Sequence, residues 1–281
     1  MKRSILIVLS SLALTACDNN TAQAVLGLVS SIVSTSGQPV SETELLTYNG
    51  EDQTQQMELP AVRPGDDIIT YSGYVSSYNH KTLIPDWVAY ELTAEELEGD
   101  EQRGERMFSM DKNVKGKQAM REDYRDSGWT KGHMAPATDF RWSADAMDET
   151  FYFMNVCPQN EYLNGEDWEY LEGKVRHWAR QYGKVWVVSG PIVGSGKYGT
   201  IGDDHVVVPD SFYKTVMYCK GGRYHTIAFV MGNDDNRYWL QDCAVSVNDL
   251  EALTGIDFFP ALDDSIEDSV EAQLTLSDWG I

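Results

Sequence analysis

Residues 129–136 read Trp129-Thr130-Lys131-Gly132-His133-Met134-Ala135-Pro136. One histidine stands behind a glycine and a cation, and Pro136 biases its predecessor toward extended backbone. Gly132 has no Cβ, which allows close approach of a bulky partner such as a phosphate. Downstream, Phe151–Val156 is a strand candidate, and the clearest helical pattern of the chain, Glu166–Tyr182, comes next. There Trp168, Leu171, Val175, Trp178 and Tyr182 recur at spacings of 3, 4, 3 and 4, forming one apolar stripe. Gly183 follows as a stop signal.

Around this centre the pattern alternates between strands and helices. Ile68–Tyr78 and Trp87–Leu92 are rich in β-branched and aromatic residues and predict strands. Thr93-Ala94-Glu95-Glu96 carries a capping-box pattern and predicts a helix start. Residues 99–127 are highly charged and read as loop-rich. Lys184–Ser189 has the composition of a buried strand, and Val206–Val208, Tyr213–Cys219 and Thr226–Met231 predict further strands. Val247–Leu253 predicts a short helix closed by Thr254-Gly255. The glycine-rich segment Gly190–Gly202 lacks the Gly-Lys-Ser/Thr ending of a phosphate-binding loop and reads as a hairpin loop. Strands mixed with segregated helices point to an α+β domain built on an antiparallel sheet with flanking helices.

The 281 residues suffice for one large domain or two small ones, and 42% hydrophobic content with 8 Trp, 15 Tyr and 8 Phe excludes a disordered chain. Residues 1–16 stand apart from that body. Lys2 and Arg3 precede the apolar run Ile5–Leu14, a signal peptide too short to span a membrane permanently. Leu14-Thr15-Ala16-Cys17 resembles a bacterial lipobox, which would make Cys17 the lipidated first residue of a membrane-anchored protein. The alternative is an ordinary signal peptide cleaved near Ala16. Residues 17–65, rich in Ser, Thr, Gln, Asn and acids, read as a tether. The turn Arg63-Pro64-Gly65-Asp66 marks the boundary to a domain over 66–281.

Net charge is −22, or −24 once Lys2 and Arg3 are removed. Such acidity repels polyanions at long range, so a polyanion-binding site here must gather its cations locally. Screening over about 8–10 Å at physiological salt permits this. Beyond Cys17, three cysteines remain. Cys219 and Cys243 both lie in strand-like runs and form one possible disulfide; the alternative is three buried thiols, Cys157 included.

The candidate chemistry rests on few residues, each with a plainer reading beside it. A neutral imidazole at His133 can take a proton from water, or be a core histidine. Asn164 can cap the helix, or offer its amide oxygen to Mg²⁺, a hard cation that takes few protein ligands. Glu172 follows eight positions on, about 80° around a helical wheel, so both side chains can border one cleft. With Arg176 it forms either part of that cleft or a surface i,i+4 ion pair. Arg106, Lys131, Arg141 and Arg176 are clamp candidates for phosphate or solvated charges.

The ordered set resembles the DNA/RNA non-specific endonuclease family, which includes secreted bacterial nucleases and mitochondrial endonuclease G. The family's hallmarks are Asp-Arg-Gly-His, then Asn-x-x-Pro-Gln, Asn-x-x-x-Trp and Leu-Glu on a helix. They stand here as Lys131-Gly132-His133, Asn155-Val156-Cys157-Pro158-Gln159, Asn164 with Trp168, and Leu171-Glu172. Asp86-Trp87-Val88-Ala89-Tyr90, Val188-Ser189-Gly190-Pro191 and Val247-Asn248-Asp249-Leu250-Glu251 match as well. The resemblance runs from about residue 70 to 260.

The resemblance implies a ββα-metal (His-Me finger) active site and a metal-dependent endonuclease cutting DNA or RNA with little sequence preference, and the signal peptide makes it an exported one. Within it, His133 would be the general base, Asn164 the ligand of Mg²⁺ (Mn²⁺ or Ca²⁺ as alternatives), and Glu172 the residue that orients water. Asn155 would act with these catalytic residues, and Arg106, Lys131 and Arg176 would contact phosphate. The expected partners are a DNA or RNA substrate and, through Cys17, a bacterial membrane facing the periplasm or the cell surface; no protein partner is identifiable. The competing reading is a non-catalytic surface lipoprotein that binds a partner through a degenerate nuclease fold. One departure stands out, because Thr130-Lys131 replaces Asp-Arg. Lys131 keeps the charge without the bidentate fork, and an orienting carboxylate is lost.

Overall fold

The computed structural model describes residues 56–281, so the signal peptide, Cys17 and nearly all of the tether lie outside the described residues. The strands are β1 (Asp67–Thr70), β2 (Val75–Asn79), β3 (Ile84–Thr93), β4 (Thr130–His133), β5 (Val156–Gln159), β6 (Lys184–Ile192), β7 (Thr200–Ile201), β8 (Val206–Val207), β9 (Ser211–Lys220), β10 (Arg223–Gly232) and β11 (Ala244–Val245). The helices are α1 (Ala144–Glu149), α2 (Glu161–Gly165), α3 (Asp167–Tyr182), α4 (Leu240–Cys243), α5 (Val247–Thr254) and α6 (Asp264–Glu271).

A seven-stranded sheet of order β1-β2-β3-β6-β9-β10-β11 forms the centre, with every pair antiparallel. Successive side chains of β3 enter opposite cores. Val88, Tyr90 and Leu92 pack with Trp168, Leu171, Val175 and Trp178 of α3. Trp87 and Ala89 pack with Val247, Leu250, Phe258 and Phe259 on the other face. Cover on both faces explains why β3, β9 and β10 read as continuous apolar runs rather than as alternation. The α3 stripe holds as expected: Trp168, Leu171, Val175 and Trp178 are all buried, and truncating an aromatic there would cost about 3–5 kcal/mol. Gly183 ends the helix at φ 86°, a left-handed conformation that favours glycine.

The folded body reaches N-terminal of the Arg63–Asp66 turn taken as the boundary. Met57 and Leu59 are buried in the second core, and Ala61 donates its backbone N–H to Asp257 at 2.9 Å. Several local expectations also shift. Ile68–Tyr78 is two strands, β1 and β2, joined through a turn in which Tyr71 N–H bonds the Tyr74 carbonyl at 2.8 Å. The Thr93–Glu96 capping box forms, with Glu96 N–H to Thr93 Oγ1 at 3.2 Å and Thr93 N–H to Glu96 Oε2 at 2.8 Å. Only one 3-10 turn, Glu96–Glu98, follows it. The chain then leaves in extended conformation at Gly99, where a Cβ would lie 2.2 Å from the Arg141 carbonyl oxygen. In Phe151–Val156, Phe153–Asn155 is a 3-10 turn and the strand starts only at Val156. Cys157, Cys219 and Cys243 are free thiols, so the possible Cys219–Cys243 disulfide is not formed.

Candidate active site

Beside the main sheet, β4 and β5 form a separate antiparallel pair with His133 opposite Val156 and Gly132 opposite Cys157. α2 and α3 follow directly, so the local unit is two strands and a helix. Trp168 ties the helix to the strand by donating Nε1–H to the His133 carbonyl at 3.4 Å. Asn155 fixes the chain just past the histidine. Its carbonyl accepts from Met134 N–H at 2.9 Å, its Oδ1 accepts from Ala135 N–H at 2.8 Å, and its Nδ2 donates to the carbonyls of Ala135 (2.8 Å) and Thr150 (2.9 Å). Asn155 is fully buried. Its amide is wholly engaged by backbone, which makes it a positioning residue for His133 rather than a group facing substrate.

His133 lies between two aromatic walls, with ring centroids 5.0 Å from Phe108 and 5.1 Å from Phe151. Its Nε2 is buried and has no hydrogen-bond partner among the described residues. Burial, reinforced by the charge of Arg103, depresses its pKa to about 3, so the ring is neutral at physiological pH. The reason for Gly132 is internal. A Cβ there would stand 2.0 Å from Gln159 Oε1, so the missing side chain makes room for a neighbour on β5, not for a phosphate.

Asn164 sits in the last turn of α2, whose N-cap is Asn160. The chain kinks at Glu166 (φ −124°, ψ −84°) before α3 begins, so Asn164 caps no helix start and shares no single helical wheel with Glu172. A side-chain relay holds it instead. Asn164 Nδ2 donates to Thr130 Oγ1 at 3.0 Å, and Thr130 Oγ1 donates to the Gln159 carbonyl at 2.8 Å. No hydrogen bond among the described residues engages Asn164 Oδ1. Thr130, one half of the family departure, thus supplies an orienting hydroxyl where the carboxylate is missing.

Behind the histidine lies a buried charged network that sequence reasoning did not reach. Lys214 on β9 is fully buried. Its Nζ donates to the Met134 carbonyl at 3.2 Å and to Ser189 Oγ, and lies 4.7 Å over the Trp168 ring. Burial pushes the Glu172 carboxyl up and the Lys214 ammonium down, while their mutual attraction opposes both shifts. Arg176 pairs with Asp139 at 2.9 Å, not with Glu172, and Asp139 also accepts from Tyr90 Oη at 2.9 Å. The Arg176 guanidinium is therefore already balanced by a fully buried carboxylate and is not a free phosphate clamp. Arg106 is engaged in the same sense by Glu101 (2.8 Å) and Asp148.

Two other cations lie near His133, and a third, Arg121, acts on one of them. Arg103 lies 5.3 Å over Phe151. Lys131 lies 5.1 Å over Tyr124 and 5.9 Å over Phe108, with its pKa lowered by burial and by Arg121. Among the described residues, none of these three has an ion-pair partner. Arg103 and Arg121 stand in the charged 99–127 segment, where no periodicity separates them from Arg106. Lys214 had one visible signal, a lone lysine inside an otherwise apolar strand.

Among the described residues, no group of three or more His, Cys, Asp or Glu side chains could hold a metal ion. The oriented Oδ1 of Asn164 is a single neutral oxygen donor. That set excludes the nitrogen- and sulfur-rich geometry of zinc and fits a hard cation such as Mg²⁺, which keeps most of its waters.

A histidine on an antiparallel strand pair, followed by a helix bearing a carboxylate, defines a ββα nuclease fold. The chain belongs to the DNA/RNA non-specific endonuclease family, whose sequence profile matches residues 54–265. It is similar to zebrafish (Danio rerio) mitochondrial nuclease EXOG, with 40% identity over 68% of this chain and 60% of that protein. Human mitochondrial endonuclease G is 37% identical over 66% of this chain and 67% of its own length. Nuclease C1 of Cunninghamella echinulata var. echinulata is 34% identical over 70% and 84%. The chain spans about three fifths of the length of the EXOG relatives it matches. The solved EndoG of an EndoG/EndoGI inhibition complex superposes with a TM-score of 0.70 at 29% identity, covering 76% of this chain and 94% of that one.

Proposed function

We propose that this protein is a metal-dependent endonuclease that hydrolyses DNA or RNA phosphodiesters with little sequence preference. The observation that carries this reading is the neutral His133 ring, whose buried Nε2 is unpartnered, with Arg103 acting on its charge and Lys131 over the Phe108 ring that flanks it. In the proposed step Nε2 takes a proton from water as the water oxygen bonds phosphorus in line. The bond to the 3′ oxygen breaks, and that oxygen takes up a proton from solvent. The products carry a 5′-phosphate and a 3′-hydroxyl. Arg103, Arg121 and Lys131 hold the phosphate and oppose the charge that builds on its oxygens. Glu172, whose charge Lys214 attracts, orients water at the site. Asn164 Oδ1 would hold Mg²⁺ (or Mn²⁺ or Ca²⁺), which supplies Lewis-acid stabilisation of the phosphate when bound. These contacts address the backbone rather than base edges, which is why specificity is weak.

Export rests on Lys2, Arg3 and the apolar run Ile5–Leu14, and lipid anchoring to a bacterial membrane on Cys17. Among the described residues, no helix is long and apolar enough to cross a membrane. The relatives named EXOG and endonuclease G are mitochondrial proteins.

Purified protein incubated with plasmid and with RNA, in Mg²⁺ or in EDTA and beside His133→Ala, tests the enzyme. Cleavage by the wild type in Mg²⁺ alone, lost in His133→Ala, is expected. Intact nucleic acid with every metal would leave only the partner-binding alternative, and equal cleavage by His133→Ala would remove the assigned base.

A further inference from the structure

Two aromatic–cation pairs stand on neighbouring loops beside this site and have no part in the chemistry above. Arg237 lies 4.5 Å over the Trp239 ring, and Trp239 is 53% exposed. Lys197 lies 4.6 Å over the Tyr198 ring, and the lysine is exposed. Tyr170 and Trp142 are exposed as well, and Trp239 differs from them in the cation that lies over its ring.

Both loops are fixed to the elements that carry the site. Tyr198 packs edge-on against Trp129 at 5.0 Å, immediately before Thr130. Asp210 accepts from Ser195 N–H at 2.7 Å and Lys197 N–H at 2.9 Å, while its carbonyl accepts from Asn233 N–H at 2.9 Å, which ties the two loops together. Asn233 Oδ1 then accepts from Asn160 N–H at 2.8 Å, reaching the cap of the helix that bears Asn164. Tyr238 N–H donates to Asp167 Oδ2 at 2.7 Å at the head of α3, and the Trp239 carbonyl accepts from the N–H groups of Asp242 and Cys243 in α4. Trp239 therefore sits on rigid backbone next to the Asn164 side of the site.

The chemistry of the pairs selects an occupant. Base–aromatic stacking is tolerant of sequence, because every base has a π face, and a neighbouring cation adds to it. A duplex hides those faces, whereas an unpaired strand presents them. Stacking is also the attraction that a chain of net charge −22 can offer a polyanion without an extended basic surface. Nearby acid is partly occupied, since Asp234 accepts from Tyr238 Oη at 2.8 Å and Asn236 N–H at 3.0 Å.

We propose that Arg237–Trp239 and Lys197–Tyr198 form a stacking track that receives an unpaired nucleic-acid strand and leads it to His133. The proposal rests on the nuclease reading of the same site and adds its substrate class, single-stranded or frayed DNA and RNA.

The test measures binding of labelled oligo-dT, oligo-U and a duplex of equal length by fluorescence anisotropy in EDTA, and cleavage of the same probes in Mg²⁺. Trp239→Ala is expected to weaken both single-stranded probes about tenfold, leave the duplex unchanged, and raise KM on single strands with kcat held. Trp239→Phe, which keeps a ring, should recover most of the loss. If Trp239→Ala fails to fold, Arg237→Ala and Tyr198→Leu should each weaken single-strand binding and spare the duplex. Equal effects on single strands and duplex, or no effect from any of these variants, would overturn the track. Selective single-strand binding without cleavage would uphold the track and remove the enzyme, whereas cleavage with unaltered single-strand binding in the variants would do the reverse.

Discussion

Replacing Thr130 with valine keeps the shape of the side chain and removes only its hydroxyl. Two hydrogen bonds go with it, the 3.0 Å bond from Asn164 Nδ2 and the 2.8 Å bond to the Gln159 carbonyl. Each contributes about 1 kcal/mol net, so global stability should fall by about 2 kcal/mol at most. The β4–β5 backbone pairing through Thr130 and Gln159 persists, which keeps the fold. The larger effect should fall on Asn164. One hydrogen bond of about 1 kcal/mol holds its amide with Oδ1 free, so losing it reduces the competent orientation roughly fivefold. Losing a side chain that orients a metal ligand weakens affinity about 10–100-fold where it has been measured. Half-saturating Mg²⁺ should therefore rise about tenfold in Thr130→Val, with kcat at saturating Mg²⁺ near the wild-type value. Mg²⁺-dependent thermal stabilisation, read without any substrate, should shift by the same factor. Thr130→Ser keeps the hydroxyl and should behave as wild type. An unchanged Mg²⁺ requirement in Thr130→Val, by both readouts, would refute the idea that this relay orients the ligand.

Lys214→Met should destabilise the protein by about 3 kcal/mol in urea, because it removes a fully buried ammonium that bonds the Met134 carbonyl and Ser189 Oγ and attracts Glu172 and Asp139; adding Glu172→Gln should recover part of the loss, and additive losses would show that the two are not coupled. Glu271 is buried among Glu251, Glu267 and Asp257, and burial followed by those charges raises its pKa from 4.5 to about 9. A carboxyl raised on folding contributes stability that is full below its unfolded pKa and lost as pH climbs toward 9, at a limit of about 1.4 kcal/mol per pH unit. Glu271→Gln should accordingly raise Tm at pH 8 and leave it unchanged at pH 4, and equal shifts at both would contradict the assignment. His133 runs the other way: its pKa falls from 6.5 to about 3, so its contribution is complete above 6.5 and lost as pH drops toward 3. The free enzyme's kcat/KM profile should then carry no histidine limb between about pH 5 and 8, and a wild-type limb near 6.5 would show the ring to be solvated.

The sheet and the long helix were legible because their signals are periodic and local. The stripe from Trp168 to Trp178 has one geometric solution, and Gly183 supplies the backbone conformation needed at its end. The order His133, Asn164, Glu172 was legible as an ordered motif, though the local geometry that fixes Asn164 was not. Asn164 reaches the site through Thr130 across a kink at Glu166, and no helical wheel contains that. Phe151–Val156 misled because its β-prone rings serve as core plugs around a 3-10 turn. Lys214, Asp139 and Arg103 act across sheet, turn and loop, so their partners are 25 to 80 positions away and face one another only in the folded chain. The Lys214–Met134 bond, for instance, spans 80 positions. Gly132 shows the same limit in miniature, since the group that excludes its side chain, Gln159, sits on the neighbouring strand.

The strong acidity of the chain and a polyanionic substrate are reconciled by how the cations near the site are distributed. Arg176 and Lys214 face buried carboxylates, and Arg106 faces two acids at the surface. These pairs contribute geometry and little outward field. Arg103, Arg121 and Lys131 have no such partners, and two of the three lie over aromatic rings that flank His133. Apolar ring faces beneath a cation exclude water on one side, and Coulomb attraction to a phosphate strengthens as the local dielectric falls. At about 8–10 Å screening length, a phosphate at the site responds to this small group far more than to distant acids. The opposing charge on the rest of the surface then discourages non-productive contacts elsewhere along the polymer. On the proposed reading, an acidic nuclease of this design depends on a few well-placed cations and on contacts that carry no charge, the role that exposed rings such as Trp239 are chemically suited to fill.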